Sequence, residues 1–206
     1  MYLPKQFNHP EHARSIILEN PFASLVSNDD EGFPFISHIP IKLMPHATDA
    51  QQDMLLGHVA KGNPHAGFLY KRPQVLLTFM GPQAYMSPAV YPDLIRVPTW
   101  SYVAVHVKAE VRILEGEEAK DALLKQLIAD HEPAYAKQWR GLPETYTHPM
   151  MNAIVAFEMK LLKVQTKVKL NQHRPEAHAA MHAAYDAGNE SEKALALWMR
   201  RLGLAS

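Results

Sequence analysis

The stretch at residues 81–106, GPQAYMSPAVYPDLIRVPTWSYVAVH, decides how the rest of the chain is read. It lies between VLLTFM (75–80) and YVAVHV (102–107), two runs rich in the branched and aromatic residues that suit a pleated surface. Pro82, Pro88, Pro92 and Pro98 argue against helix between them and hold the preceding residues extended. The expectation is two strands joined by a stiff connection that carries Gln83, Tyr85, Ser87, Tyr91, Thr99 and Trp100. Rings and hydroxyls fixed in this way suit recognition of a planar, phosphorylated ligand. A structural crossover with partly buried aromatics fits the same spacing.

Upstream, Asn8-His9-Pro10-Glu11 has the pattern of a capped helix running to about Asn20, where Pro21 follows. FASLVSN (22–28) and FPFISHIPIKL (33–43) flank Asp29-Asp30-Glu31-Gly32, a hairpin signal. Residues 44–53 read as irregular, and MLLGHVA (54–60) resumes the sheet before Gly62-Asn63-Pro64. Downstream, EEAKDALLKQLIADH (117–131) is the clearest helix, with Ala119, Leu123, Leu127 and Ile128 on one face. A loop rich in Pro and Gly then leads to Pro149, where a short helical turn passes into a final strand over 153–170. Beyond Pro175 the tail is helical, broken near Asp186-Ala187-Gly188-Asn189. Six or so antiparallel strands with one long crossover helix give a mainly β, α+β fold, a small barrel with peripheral helices and a helical C-terminal tail.

Composition narrows the function classes. The 206 residues suffice for a core of their own, and 21 basic residues balance 21 acidic ones. That neutrality gives no support for non-specific attraction to nucleic acid or anionic lipid. With no cysteine, disulfides, thiolate metal sites, iron–sulfur clusters and a cysteine nucleophile are excluded. No segment has the apolar length of a signal peptide core or a membrane span, so the sequence reads as a cytoplasmic protein with no membrane partner.

Seven motifs occur in order: MYLPKQF at the start, HIP at 38–40, LLGHVAKGNP at 55–64, GPQAYMSP at 81–88, VPTWSYVAVH at 97–106, AIVAFEM at 153–159 and KLNQHRPE at 169–176. Together they resemble the PaiB-type FMN-binding negative transcriptional regulators. The resemblance implies an FMN-binding split β-barrel over residues 1–174, with the tail at 175–206 packed on the same domain or on a dimer partner. It further implies a homodimer that holds FMN between its subunits. By analogy, His58, Lys61 and Asn63 hold the phosphate, which requires a cation and several donors. Tyr85, Tyr91 and Trp100 supply apolar faces for the ring, and Gln83, Ser87, Thr99 and Gln172 supply polar groups for its edge. Either Lys169 or Arg174 favours the negative charge of a reduced flavin or binds phosphate from the second subunit. Two positions depart from the pattern: Val90 stands where the family usually has Trp, and His173 where it usually has Asn.

Other readings of the sequence are weaker. His178 and His182 lie four apart on a helix without an evident third ligand, so no metal is assigned. His106, in an apolar strand, reads as a core histidine. Lys160, Lys163, Lys167, Lys169 and Arg174 form a short basic run, and the broken tail helices imitate a DNA-reading motif. Alternating lysines are usually solvated or part of a cofactor site, however, and Leu195 with Trp198 is expected to seal a dimer. Direct DNA binding is therefore doubtful. The alternatives are a flavin-dependent oxidoreductase acting on a small molecule and a haem-handling split barrel.

Overall fold

A computed structural model describes residues 1–93 and 95–205. The fold is α+β, a split barrel built on one seven-stranded sheet. In chain order the elements are α1 (Ala13–Glu19), β1 (Phe22–Asn28), β2 (Pro34–Pro40), β3 (Lys42–Met44), β4 (Met54–Ala60), α2 (Pro64–Lys71), β5 (Gln74–Met86) and β6 (Thr99–Leu114). They continue with α3 (Glu117–His131), α4 (Tyr135–Gly141), α5 (Glu144–Asn152), β7 (Ile154–Lys169), α6 (His178–Asp186) and α7 (Glu190–Arg201). The strands lie in the order β2-β1-β5-β6-β7-β4-β3. Antiparallel registers place Phe22 opposite Pro40, Leu25 opposite Leu77, and Gly57 opposite Phe157.

The chain divides into two compact units. The first comprises Met1–Glu19, Met80–His106 and Gln165–Ser206, and the second Asn20–Phe79 and Val107–Val164. In the second unit, alternation along β1 turns Ala23, Leu25 and Ser27 inward. The hairpin closes as expected: Asp29 Oδ1 accepts from the backbone N–H of Glu31 and Phe33, and Gly32 has φ +89°. α3 lays Leu123 and Leu127 on Leu56 and Ala156, and burying each leucine contributes about 1.5–3 kcal/mol. Gly57 permits the closest approach in this core, since a Cβ there would stand 2.7 Å from Ile41 Cδ1 and 3.1 Å from Phe157 Cε2.

In the first unit the N-terminal segment is tied to β7. Asn8 bridges Lys167, the His9 N–H donates to Thr166 O, and buried Lys167 donates to Tyr2 O at 3.0 Å. The Lys167 ammonium also lies 5.5 Å from the Tyr2 ring and 5.2 Å from that of Tyr102. α7 opens on a capping box between Asn189 and Glu192. It buries Leu195, Trp198 and Met199, with Trp198 only 2 % exposed.

Several expectations are corrected. β5 runs on through Met86, so the connection to β6 shortens to residues 87–98 and includes a 3-10 turn at Pro88–Val90. Pro82 is tolerated because β1 pairs only with Leu76–Thr78 of β5, which leaves that side of the later strand free of β1. The long strand expected at 33–43 breaks between Pro40 and Lys42, where the Ile41 N–H turns to Pro21 O. The segment 44–53 begins as strand and contains a 3-10 turn at Ala50–Gln52. Asn8 caps no helix: a 3-10 turn at Pro10–His12 leads into α1, and the position before it is His9. The loop expected before Pro149 holds α4 and the start of α5, with Gly141 closing one and Pro143 preceding the other, and the short helical turn expected at Pro149 is the end of α5. Leu195 and Trp198 are buried in their own chain and are not free to seal a dimer.

Candidate functional site

In the first unit, polar and aromatic side chains gather around the end of β7. Lys169, its last residue, is half-buried and donates from Nζ to Thr99 Oγ1 at 2.6 Å. Among the described residues no carboxylate pairs with it. Burial, and secondarily the charge of Lys167, lower its pKa from the usual lysine range. Next comes Leu170 and then Asn171, which takes φ +61°, a left-handed conformation that Asn tolerates better than most residues. Its buried amide donates to Tyr91 Oη at 2.9 Å, and its carbonyl accepts from His178 Nε2. The Arg96 guanidinium stands 5.1 Å from the Tyr91 ring and pairs with Asp93 at 2.8 Å.

A second group lies on β5 and the start of β6 in the same unit. Trp100 Nε1 donates to Gln83 Oε1 at 2.8 Å, and Tyr85 meets the Trp100 ring edge-on at 6.3 Å between centroids. Both rings are about half exposed, Tyr85 at 51 % and Trp100 at 48 %. The backbone of Gln83 is clamped from α7: its N–H donates to Ser191 Oγ, and the Ser191 hydroxyl donates to its carbonyl. Ser87 Oγ accepts from the Ala89 N–H and caps the following 3-10 turn.

Gln172 is directed inward. Its Oε1 accepts from the Leu170 N–H, and its Nε2 donates to Val168 O at 2.6 Å and lies 3.3 Å from His9 Nε2. Arg174 is half-buried and 3.8 Å from Glu176. The basic run is not one solvated face, since Lys160 and Lys163 are exposed while Lys167 is buried.

His58, Lys61 and Asn63 belong to the second unit. The Asn63 amide is engaged at both ends, its oxygen accepting from the His65 N–H to cap α2 and its Nδ2 donating to Ser37 Oγ. His65 is fully buried between Ser37 Oγ at 2.9 Å and Ser27 Oγ at 3.0 Å, and burial lowers its pKa. His58 faces α3 and lines a cavity of about 330 Å³ walled by Pro40, Leu124, Leu127, Ile128 and Tyr135. Its Nδ1 is buried without a hydrogen-bond partner among the described residues, and desolvation lowers its pKa. The Lys61 side chain is exposed, with no ion pair among the described residues.

Of the residues expected from sequence, the structure thus brings together Thr99 with Lys169, and Gln83 with Tyr85 and Trp100. Asn171, Arg96 and Ser191 join these groups without having been anticipated. Asn171 carried a signal through its place in KLNQHR, and Arg96 lies within the connection at 87–98, three residues from Asp93 and five from Tyr91; Ser191 meets Gln83 across 108 positions of chain. A half-buried ammonium with a hydroxyl partner, beside exposed rings, suits an anionic planar ligand.

The residues that form this barrel also define a family. Residues 1–163 match the family model described as "Putative FMN-binding domain". The chain is 32% identical over 186 residues to the protease synthase and sporulation protein PAI 2 of Bacillus subtilis, covering 85% of this chain and 84% of that one. The chain therefore belongs to this family of PaiB-type FMN-binding domains. Solved structures share the fold. The flavocytochrome Anf3 of Azotobacter vinelandii superposes with a TM-score of 0.59 at 13% identity, over 80% of this chain and 69% of that one. An FAD and heme binding protein of Mycobacterium smegmatis does so with a TM-score of 0.58 at 14% identity, over 79% and 72%.

Among the described residues, no helix is long and apolar enough to cross a membrane.

Proposed function

We propose that this chain binds FMN non-covalently, as a homodimer, and acts as a negative regulator of transcription without strong direct contact to DNA. The observation that carries the cofactor assignment is Lys169, a half-buried cation whose only side-chain hydrogen bond among the described residues is to Thr99. An anionic phosphate or a reduced flavin ring supplies the charge this ammonium lacks. Lys61 and Arg174 add cations, Gln83, Ser87, Tyr91 and Thr99 add polar groups, and Tyr85 and Trp100 offer ring faces. Gln172 shapes the turn after β7, and His58 and Asn63, in the second unit, are carried in the proposed set by the family resemblance alone. When bound, FMN supplies hydride and single-electron chemistry.

Exposed Ile95, Val97, Tyr85 and Trp100 support a second subunit in the assembly, because large apolar groups in one region mark interaction surfaces. Weak DNA contact is supported by α7, whose Arg200 and Arg201 pair with Asp186 and Glu19, and by burial of Lys167 within the basic run. The regulatory role rests on the family resemblance.

An absorption spectrum of the purified protein tests the cofactor: flavin bands are expected, and a haem Soret band in their place contradicts the reading. Light scattering at micromolar concentration should show a dimer, and a 23.3 kDa species alone contradicts it. Gel shifts at about 150 mM salt, near physiological ionic strength, should show no sequence preference. A flavin-dependent oxidoreductase is the second reading, favoured by the half-exposed Tyr85–Trp100 pair. Turnover of a reductant by the flavin-loaded protein supports it.

A further inference from the structure

Three potential metal ligands converge in the first unit, on the N-terminal segment that runs beside β7. They come from one tetrapeptide, His9-Pro10-Glu11-His12. Their donor atoms all lie within 4.8 Å of one another. His9 Nδ1 is 3.0 Å from Glu11 Oε1, and His12 Nε2 is 3.9 Å from the same oxygen. Two ligands on a tetrahedral zinc ion, each about 2.0–2.2 Å from it, stand roughly 3.4 Å apart. The two observed separations bracket that value, so small side-chain rotations suffice to close the set.

The frame that carries these side chains is held independently of any ion. The His9 N–H donates to Thr166 O on β7, and the His12 N–H donates to His9 O. Pro10 fixes the first position of the 3-10 turn, Ser15 Oγ donates to His12 O, and the His12 ring meets Trp198 edge-on at 5.2 Å. Such a frame limits the entropy lost when the ligands close on an ion.

We propose that His9, Glu11 and His12 form a binding site for one borderline divalent cation, of which Zn2+ and Ni2+ are the best matches. Two imidazoles and one carboxylate suit these ions, whereas Mg2+ and Ca2+ prefer all-oxygen sets. The remaining coordination positions face water, because Glu11 is exposed.

His9 changes tautomer on loading. In the ion-free chain the orientation of Gln172, set by Leu170 and Val168, presents its NH2 group to His9 Nε2. That nitrogen therefore accepts, and Nδ1–H points to Glu11. When Nδ1 takes the cation its proton moves to Nε2, and the Gln172 contact is exchanged for water. Loss of that bond keeps the affinity below that of a site whose histidine is backed by a carboxylate.

The test uses the full chain, stripped with a chelator and titrated calorimetrically with Zn2+ and separately with Ni2+. About one ion per chain is expected. His9→Ala and His12→Ala should each weaken binding at least as much as loss of an outer-shell partner does, about 10–100-fold. His182→Ala should leave binding unchanged, which separates this site from the His178–His182 pair. A second readout follows Trp198 alone, in a chain carrying Trp100→Phe and Trp139→Phe. Ni2+ should quench its emission, and His12→Ala should abolish the quenching. Melting curves without metal identify any variant that fails to fold, and Glu11→Gln, at an exposed position, then replaces it. Absence of stoichiometric binding by the native chain overturns the proposal. So does binding that survives both histidine substitutions or is lost in His182→Ala.

Discussion

The end of β7 and the turn after β4 both present lysine and asparagine, but they use them differently. After β4, the amide of Asn63 is engaged in capping α2 and in holding Ser37, and Lys61 projects into solvent. At the end of β7, Asn171 positions Tyr91, while Lys169 is half-buried without a carboxylate partner among the described residues. The first motif is largely explained by folding alone. The second contains a partly desolvated charge whose partner among the described residues is the neutral Thr99 hydroxyl, and this is the feature on which the proposed flavin site rests.

The sharpest way to break this contrast is to compare Lys169→Ala with Lys61→Ala in FMN titrations followed by flavin fluorescence. Loss of a charge-assisted contact costs about 1.5–3 kcal/mol, roughly 10–150-fold in affinity. The full effect is expected at Lys169 and a smaller one at Lys61, where solvent screens the charge. A larger loss at Lys61 reverses the contrast.

Next in size is a packing effect on the second unit. Gly57→Ala should lower its stability by about 1–3 kcal/mol through overpacking, because Ile41 and Phe157 already occupy the space. Urea denaturation measures this, and an unchanged midpoint shows that the core yields. Asn63→Ala should cost about 1 kcal/mol from the lost cap, with little change in FMN affinity. A large loss of FMN affinity without loss of stability shifts the phosphate site to this turn.

The smallest effect is in pH. Burial holds His65, His58 and His106 neutral by depressing their folded pKa values. In the unfolded chain the same groups take up protons below about pH 6.5. Their contribution to stability is thus present above that pH and is lost as pH falls toward the depressed folded values. The urea midpoint should decline from about pH 7.5 to about pH 5.5, and the decline should shrink in His65→Asn. A midpoint that rises on acidification contradicts the assignment.

Local patterns made much of the fold legible. Alternation gave β1, the Asp-Gly turn gave the hairpin, and EEAKDALLKQLIADH gave α3 with its observed bounds. Prolines misled where tertiary context decides their effect. Pro82 lies in a strand beyond the reach of its neighbour β1, and Pro143 with Gly141 punctuates helices that composition alone presents as loop. The residue types of the candidate site stood in the sequence, but their couplings did not. Asn171 meets Tyr91 across 80 positions of chain, and Thr99 meets Lys169 across 70. Periodicity carries no information at that separation.

The central claim is that Lys169 and its neighbours hold the phosphate-bearing flavin. The most direct measurement is the affinity of the native protein for FMN and for riboflavin, which differ only in the phosphate. FMN should bind at about one per chain and at least about tenfold more tightly, the ratio expected from one charge-assisted contact. Equal affinities for the two flavins would contradict the account.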